Sequence, residues 1–305
     1  MSYLFNGNLK ALLCDKYCTE ILAGVKVRLY RTAALSTEVV VAAAASTKET
    51  FHQLSEDELK AKQNQLLAET LTDEQGNFSF SLGEREKYEG QAFDIDFVCG
   101  NVPRPKPYPK KLPELQFHIT TLQPRWRQTE RDFQATWVYV VPARWWCIIR
   151  AKFDAWVICG RVLDCKTQKP LSGLRVYGYD VDWLQDDALG FGTTDANGYF
   201  RIDYTKADFS QTILSPLLNV EWPAGPDIYF KVVEPVSNIT VLQEDRSVGH
   251  SAARENRGPC FCVELCVTDS VPTGNYFPAL FERVGGYSIY TDINANGYTN
   301  AGLYA

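Results

Sequence analysis

The residues best suited to chemistry lie in one stretch, YDVDWLQDDALG, from Tyr179 to Gly190. It sets Asp180, Asp182, Asp186 and Asp187 around Trp183. Hard cations such as Ca2+ need several oxygen ligands converging at bonding distance, so these four carboxylates are the candidate metal ligands. Two of them facing one substrate would make a general acid/base pair. The spacing is not that of a compact calcium loop. Carboxylates at strand ends also cap turns by accepting backbone N–H groups. Trp183 is a candidate for touching a partner.

Other motifs are weaker. DINANG, at Asp292–Gly297, matches the first half of a calcium loop, but Leu303 stands where a bidentate Glu is required. An Asn-Gly turn between tyrosine-rich strands accounts for it. The chain has nine cysteines. In CFCVELCV, Cys260, Cys262 and Cys266 share one face of a strand, opposite Phe261, Val263, Leu265 and Val267. No CxxC pair is present, and zinc sites favour ligands on tight turns. His52, His118 and His250 are far apart in sequence. There is no HExxH and no Gly-x-Ser-x-Gly, so no residue is assigned a catalytic role and no cofactor beyond Ca2+ is expected.

Composition bounds the remaining classes. A chain of 305 residues with 45% hydrophobic and 13% aromatic side chains can bury real cores. A net charge of -6 without a basic stripe argues against a nucleic-acid binder. The longest apolar run, VVVAAAA at Val39–Ala45, is too short to span a membrane. The opening MSYLFNGNLKALLCDKYC lacks a basic start followed by an apolar run, which predicts no signal peptide and a cytoplasmic protein, or one in a particle released from the cell. An odd number of cysteines in such a chain predicts reduced thiols.

The elements that must position these residues come in two sets. AGVKVRLY at Ala23–Tyr30 and SGLRVYGY at Ser172–Tyr179 each follow a glycine with period-two alternation, the mark of a half-buried strand. Upstream lie LKALLCDKYCTEIL and VICGRVLDCKTQKPL. Downstream, TDEQGNFSFSL matches TDANGYFRIDY, each a tight turn that launches an alternating strand. FDIDFVC then matches PDIYFKV, and LQFHITTL takes the place of CFCVELCV. The first set holds an insertion with a helix over about 50–70: Ser55 and Glu58 form a capping box, and Leu59, Leu66 and Leu67 can share a face.

The order of glycine, alternating strand, loop, TD-x-x-G-x-F and alternating strand resembles the transthyretin-like, carboxypeptidase-regulatory-like family of β-sandwiches. The resemblance implies a mainly β chain of two tandem antiparallel Greek-key sandwiches, 1–125 with the helical insertion and 156–268. It also implies accessory, adhesive or assembly roles rather than catalysis. Between them, 126–155 is rich in aromatic residues and reads as a rigid connector, with Trp137, Trp145 and Trp146 as candidate partner contacts. NVPRPKPYPKKLP reads as an extended loop. Residues 269–305 restart a strand pattern and read as a further domain or an assembly arm. Together these point to a non-enzymatic structural protein within a larger assembly of protein subunits, such as a contractile, phage-tail-like injection particle. The second reading is a glycan- or peptide-binding module that uses Trp183 and the acidic loop; the third is an enzyme at that loop.

Overall fold

The structure is a computed structural model that describes residues 2–14, 18–32, 50–106, 114–182, 186–209 and 225–268. The Val39–Ala45 run, Trp183, Pro107, Pro109 and Pro113 of the proline-rich loop, and the segment 269–305 lie outside the described residues. The chain is mainly β, with several antiparallel sheets. It divides into two compact units. The first joins Met1–Cys159 with Asp203–Pro226 and Asn256–Cys262; the second joins Gly160–Ile202 with Asp227–Glu255 and the chain from Val263.

In chain order, the strands of the first unit are β1 (Ser2–Cys14), β2 (Cys18–Ile21), β3 (Lys26–Arg31), β4 (His52–Gln53), β5 (Leu66–Leu71), β6 (Asn77–Leu82), β7 (Phe93–Cys99), β8 (Leu115–Leu122), β9 (Arg127–Gln128) and β10 (Asp132–Val141). One sheet is built on β1. Strands β2 and β6 pair antiparallel with it, and β10 pairs parallel with it over ten positions, with β9 beyond. The other sheet runs β4-β8-β7-β3-β5. Period-two alternation sends Phe78, Phe80 and Leu82 of β6, and Val27 and Leu29 of β3, into a common core with Phe5, Leu9, Phe93 and Phe97. Burying each such side chain contributes about 1.5–3 kcal/mol.

Two expectations change here. The segment 126–155 is not a connector: it supplies β9, β10 and the helix α2 (Ala143–Lys152), all within the first unit. The sheets are not wholly antiparallel either. The whole first strand set intervenes between β1 and β10, so the chain returns in the same direction and pairs in parallel.

The insertion holds a helix, α1 (Glu56–Lys62), with the expected capping box: the Glu58 N–H donates to Ser55 Oγ, and the Ser55 N–H donates to Glu58 Oε2 at 2.8 Å. That backbone bond holds the Glu58 carboxyl down at about 2. The helix is shorter than the sequence suggested. After a single 3-10 turn, Leu66 and Leu67 pass into β5, where pairing with β3 supplies ladder bonds and buries Leu67.

Strands β11 (Trp156–Asp164), β12 (Arg175–Asp180), β13 (Asp187–Thr193), β14 (Tyr199–Tyr204), β15 (Ile228–Glu234), β16 (Ile239–Gln243) and β17 (Cys260–Val267) follow. They form a three-stranded sheet, β14-β11-β17, and a four-stranded sheet, β13-β12-β15-β16. The repeated TD-x-x-G motif is one turn built twice. Thr72 Oγ1 accepts the Val25 N–H and Thr194 Oγ1 accepts the Leu174 N–H, both at 2.9 Å. Asp73 and Asp195 each accept two backbone N–H groups from the turn. Gly76 and Gly198 sit at φ +76° and +77°, where a side chain is strained.

The cysteines are not reduced. Cys14–Cys262, Cys18–Cys159 and Cys147–Cys260 form disulfides in the first unit, and Cys165–Cys266 in the second. The thiol face of β17 finds a partner for each of its three cysteines. Cα separations of 5.0–6.5 Å lie within bridging range. Cys99 alone is free, and burial pushes its thiol up to about 12.

Candidate interaction surface

Strand β10 reads DFQATWVYVV, rich in the β-branched and aromatic residues that suit a pleated surface. Phe133, Ala135, Trp137, Tyr139 and Val141 share its inner face. Phe133 stacks on Tyr3 with ring centroids 4.9 Å apart, and Trp137 stacks on Tyr139 at 5.5 Å. Burial pushes the Tyr139 hydroxyl up to about 12. The outer face carries Gln134, Thr136, Val138 and Val140, with Val138 65% exposed and Val140 38%.

Among the described residues, the edge of β10 away from β1 is largely open. Strand β9 pairs with Phe133 and Gln134 only. From Ala135 to Val141, no strand among the described residues occupies that side. Beside this edge lies a groove of about 700 Å³, floored by Phe5, Leu122, Ala135 and Trp137 and lined also by Arg125 and Arg127. Exposed edges are commonly guarded by charge, proline or a bulge. The run Ala135–Val141 has no charge and no proline, and its register with β1 is unbroken.

Helix α2 fixes the far end of this strand. Pro142 stops β10, and its carbonyl accepts the N–H groups of Trp145 and Trp146. Trp146 is fully buried, and its Nε1–H donates to Glu20 at 2.5 Å. It is therefore a core residue and not a partner contact. Trp145 is half-buried against Phe51, with ring centroids 5.5 Å apart, and Trp137 is half-buried beside Phe5. Of the tryptophans named from sequence, Trp137 alone lines the groove; Trp183 lies outside the described residues.

Arg150, on the same helix, is fully buried and was not singled out by the sequence. Its Nη1 donates to both oxygens of Glu20 at 2.9 Å, and its Nη2 donates to Asp203 at 3.0 Å. A long polar side chain following WWCII gave no hint of its partners, which are distant in sequence.

Among the described residues, the carboxylates of the acidic loop do not converge as metal ligands. Asp180 and Asp187 face each other across the β12–β13 pair. Asp186 is already engaged, by the Tyr229 hydroxyl at 2.7 Å and by Arg246 at 2.6 Å. Asp182 donates its backbone N–H to Asp186. Among the described residues, no three of these carboxylates bring oxygens within ligand distance of one another. Asp180 is nearly buried and accepts the Asp227 N–H at 2.6 Å. Burial, reinforced by the neighbouring Asp182, Asp227 and Asp187, pushes its carboxyl up to about 7.

A second titratable cluster escaped the sequence, which treats the histidines as isolated. His52 and His118 are cross-strand partners on β4 and β8. His118 and Lys62 both lie 2.9 Å from the fully buried Asp96, and Gln116 donates to it at 2.8 Å. Burial works against the Asp96 charge, but the His118 and Lys62 bonds outweigh it and lower the carboxyl below its usual range. The cluster ties the end of α1 to β7 and β8.

No protein-family model and no curated protein matches the sequence. Among solved structures, the chain is similar to the minor pilin of Streptococcus agalactiae at 13% identity and TM-score 0.25, covering 89% of this chain and 100% of that one. It is similar to a shaft pilin of Lactobacillus rhamnosus GG at 10% identity and TM-score 0.23, covering 89% and 99%. A 9R-lipoxygenase from Cyanothece matches at 17% identity and TM-score 0.23 over 50% of this chain and 26% of its own length. Overlap at this level carries no function across.

Proposed function

We propose that the chain is a non-enzymatic structural subunit that joins a second copy of itself through the open edge of β10. The observation that carries this reading is the uncharged run Ala135–Val141, whose side away from β1 meets no strand among the described residues, with Val138 and Val140 exposed. Unpaired N–H and C=O groups in a row are a template for another strand. Two copies meeting edge to edge would satisfy them with no like charges opposed, and such a contact closes on itself by twofold symmetry. The titratable clusters support a structural role, because their members are engaged with one another. In this reading each unit is a transthyretin-like sandwich. The four disulfides support a working chain in an oxidising compartment. No feature of the fold selects a contractile injection particle over other assemblies.

Light scattering during size-exclusion tests the reading. The native chain should run at twice its 34.5 kDa, and Val138→Lys with Val140→Lys should return it to the single-chain mass. A monomeric native chain would overturn the proposal, as would a dimer indifferent to both substitutions.

A further inference from the structure

We propose that Cys14, Cys18, Cys159 and Cys262 form a tetrathiolate Zn2+ site in the reduced chain, the alternative state of two neighbouring disulfides. The sulfurs of Cys14, Cys18 and Cys159 all lie within 4.8 Å of one another, although Cys14 is bonded to Cys262 and Cys18 to Cys159. The two bridges are therefore neighbours; the sulfur of Cys262 falls outside that group of three and has to swing in once freed from Cys14. A tetrahedral site with Zn–S bonds of about 2.3 Å sets its sulfurs roughly 3.8 Å apart, so small rotations about Cα–Cβ bring these thiols to ligand positions.

The backbone supplies the usual architecture. Cys14 on β1 and Cys18 on β2 are register partners, a C-x3-C spacing in sequence. Cys159 and Cys262 come from the adjacent strands β11 and β17. One antiparallel strand pair and two neighbouring strands thus carry the four cysteines. Cys14 and Cys159 are buried, Cys18 is half-buried and Cys262 is exposed, so the site would be closed on the core side and reach solvent along β17. Thiolates select Zn2+ over the hard cations considered for the acidic loop. The Cys165–Cys266 pair has no third such ligand close by among the described residues, so it forms a disulfide and nothing else.

The chemistry balances with a dithiol reductant of the thioredoxin class. Each disulfide takes two electrons and two protons and becomes two thiols, while the reductant becomes a disulfide. The four thiols then release four protons as one Zn2+ binds. A chain exposed to a reducing compartment would hold β1, β2, β11 and β17 together by metal instead of by sulfur–sulfur bonds.

The test uses the full chain, reduced under anaerobic conditions, stripped of metal and titrated with Co2+ and then Zn2+. One Co2+ per chain should bind with the intense visible bands of a tetrahedral thiolate site, and Zn2+ should displace it. Cys159→Ser and Cys18→Ser should abolish those bands, while Cys165→Ser with Cys266→Ser should keep them. X-ray absorption of the Zn2+-loaded native chain should show four sulfur neighbours; it reads the site directly if the single variants fail to fold. Failure of the reduced native chain to take up Co2+ would overturn the proposal. So would a shell dominated by nitrogen or oxygen, or bands that survive loss of Cys159.

Discussion

Asp180 and Arg150 are both buried charged residues, but their surroundings have opposite effects. The Asp180 carboxyl, raised to about 7, holds a proton in the folded chain over a range where the unfolded chain has lost it. The native state then binds more protons, so stability falls as pH rises from about 4 to about 7 and the loss is complete above that. The cost at alkaline pH is on the order of 2–4 kcal/mol. Asp180→Asn keeps an oxygen for the Asp227 N–H and removes the charge. Thermal melts should show the variant several degrees more stable than the native chain at pH 8 and indistinguishable from it at pH 4; equal stability at pH 8 would contradict the buried-acid account. Arg150 is instead matched by Glu20 and Asp203. Removing one member of such a group leaves its partner buried and uncompensated, so Arg150→Ala should cost about 3–5 kcal/mol in denaturant unfolding. A loss below 1 kcal/mol would mean that water reaches Glu20 in solution.

The strands and turns were legible because their signals are local. The alternation in NFSFSL and RVYGYD, and the TD-x-x-G turns, specify their own conformations, and each became the element expected. The Ser55–Glu58 box is equally local, and Ser55→Ala should cost about 1 kcal/mol, read as a lower midpoint in urea with an unchanged slope. The far end of that helix was misread because its limit is not local: Leu66 and Leu67 fit a helical face, but pairing with β3 drew them into β5. The same holds for 126–155. Its aromatic density correctly demanded burial, yet nothing in ATWVYVV says that its partner is β1, more than a hundred residues upstream. Arg150, His118 and the acidic loop follow the same pattern. The sequence names His118 and the acidic-loop aspartates but not Arg150, and only the fold shows that Tyr229 and Arg246 occupy Asp186 and that His118 meets Asp96.

The cysteines bear on the whole chain, because their pairing spans most of its length. The bridges join residues 248, 141, 113 and 101 positions apart. Closing a loop of about 100 residues removes on the order of 4–5 kcal/mol of unfolded-chain entropy in the simple model; overlapping loops add less than their sum. Counting thiols therefore separates an oxidised chain from a reduced one more sharply than any stability measurement. In the oxidised chain, Cys99 is the sole thiol, and burial keeps it protonated and shielded. A thiol reagent should label nothing in the native protein, one cysteine in denaturant, and all nine after reduction and unfolding. Reduction before heating should lower the melting temperature, and added Zn2+ should restore part of the loss if the four clustered thiols bind it. Nine reactive thiols in denaturant without any reductant would show that the chain is kept reduced where it works. That outcome would remove the case for an oxidising compartment while leaving the four-cysteine cluster free to bind metal.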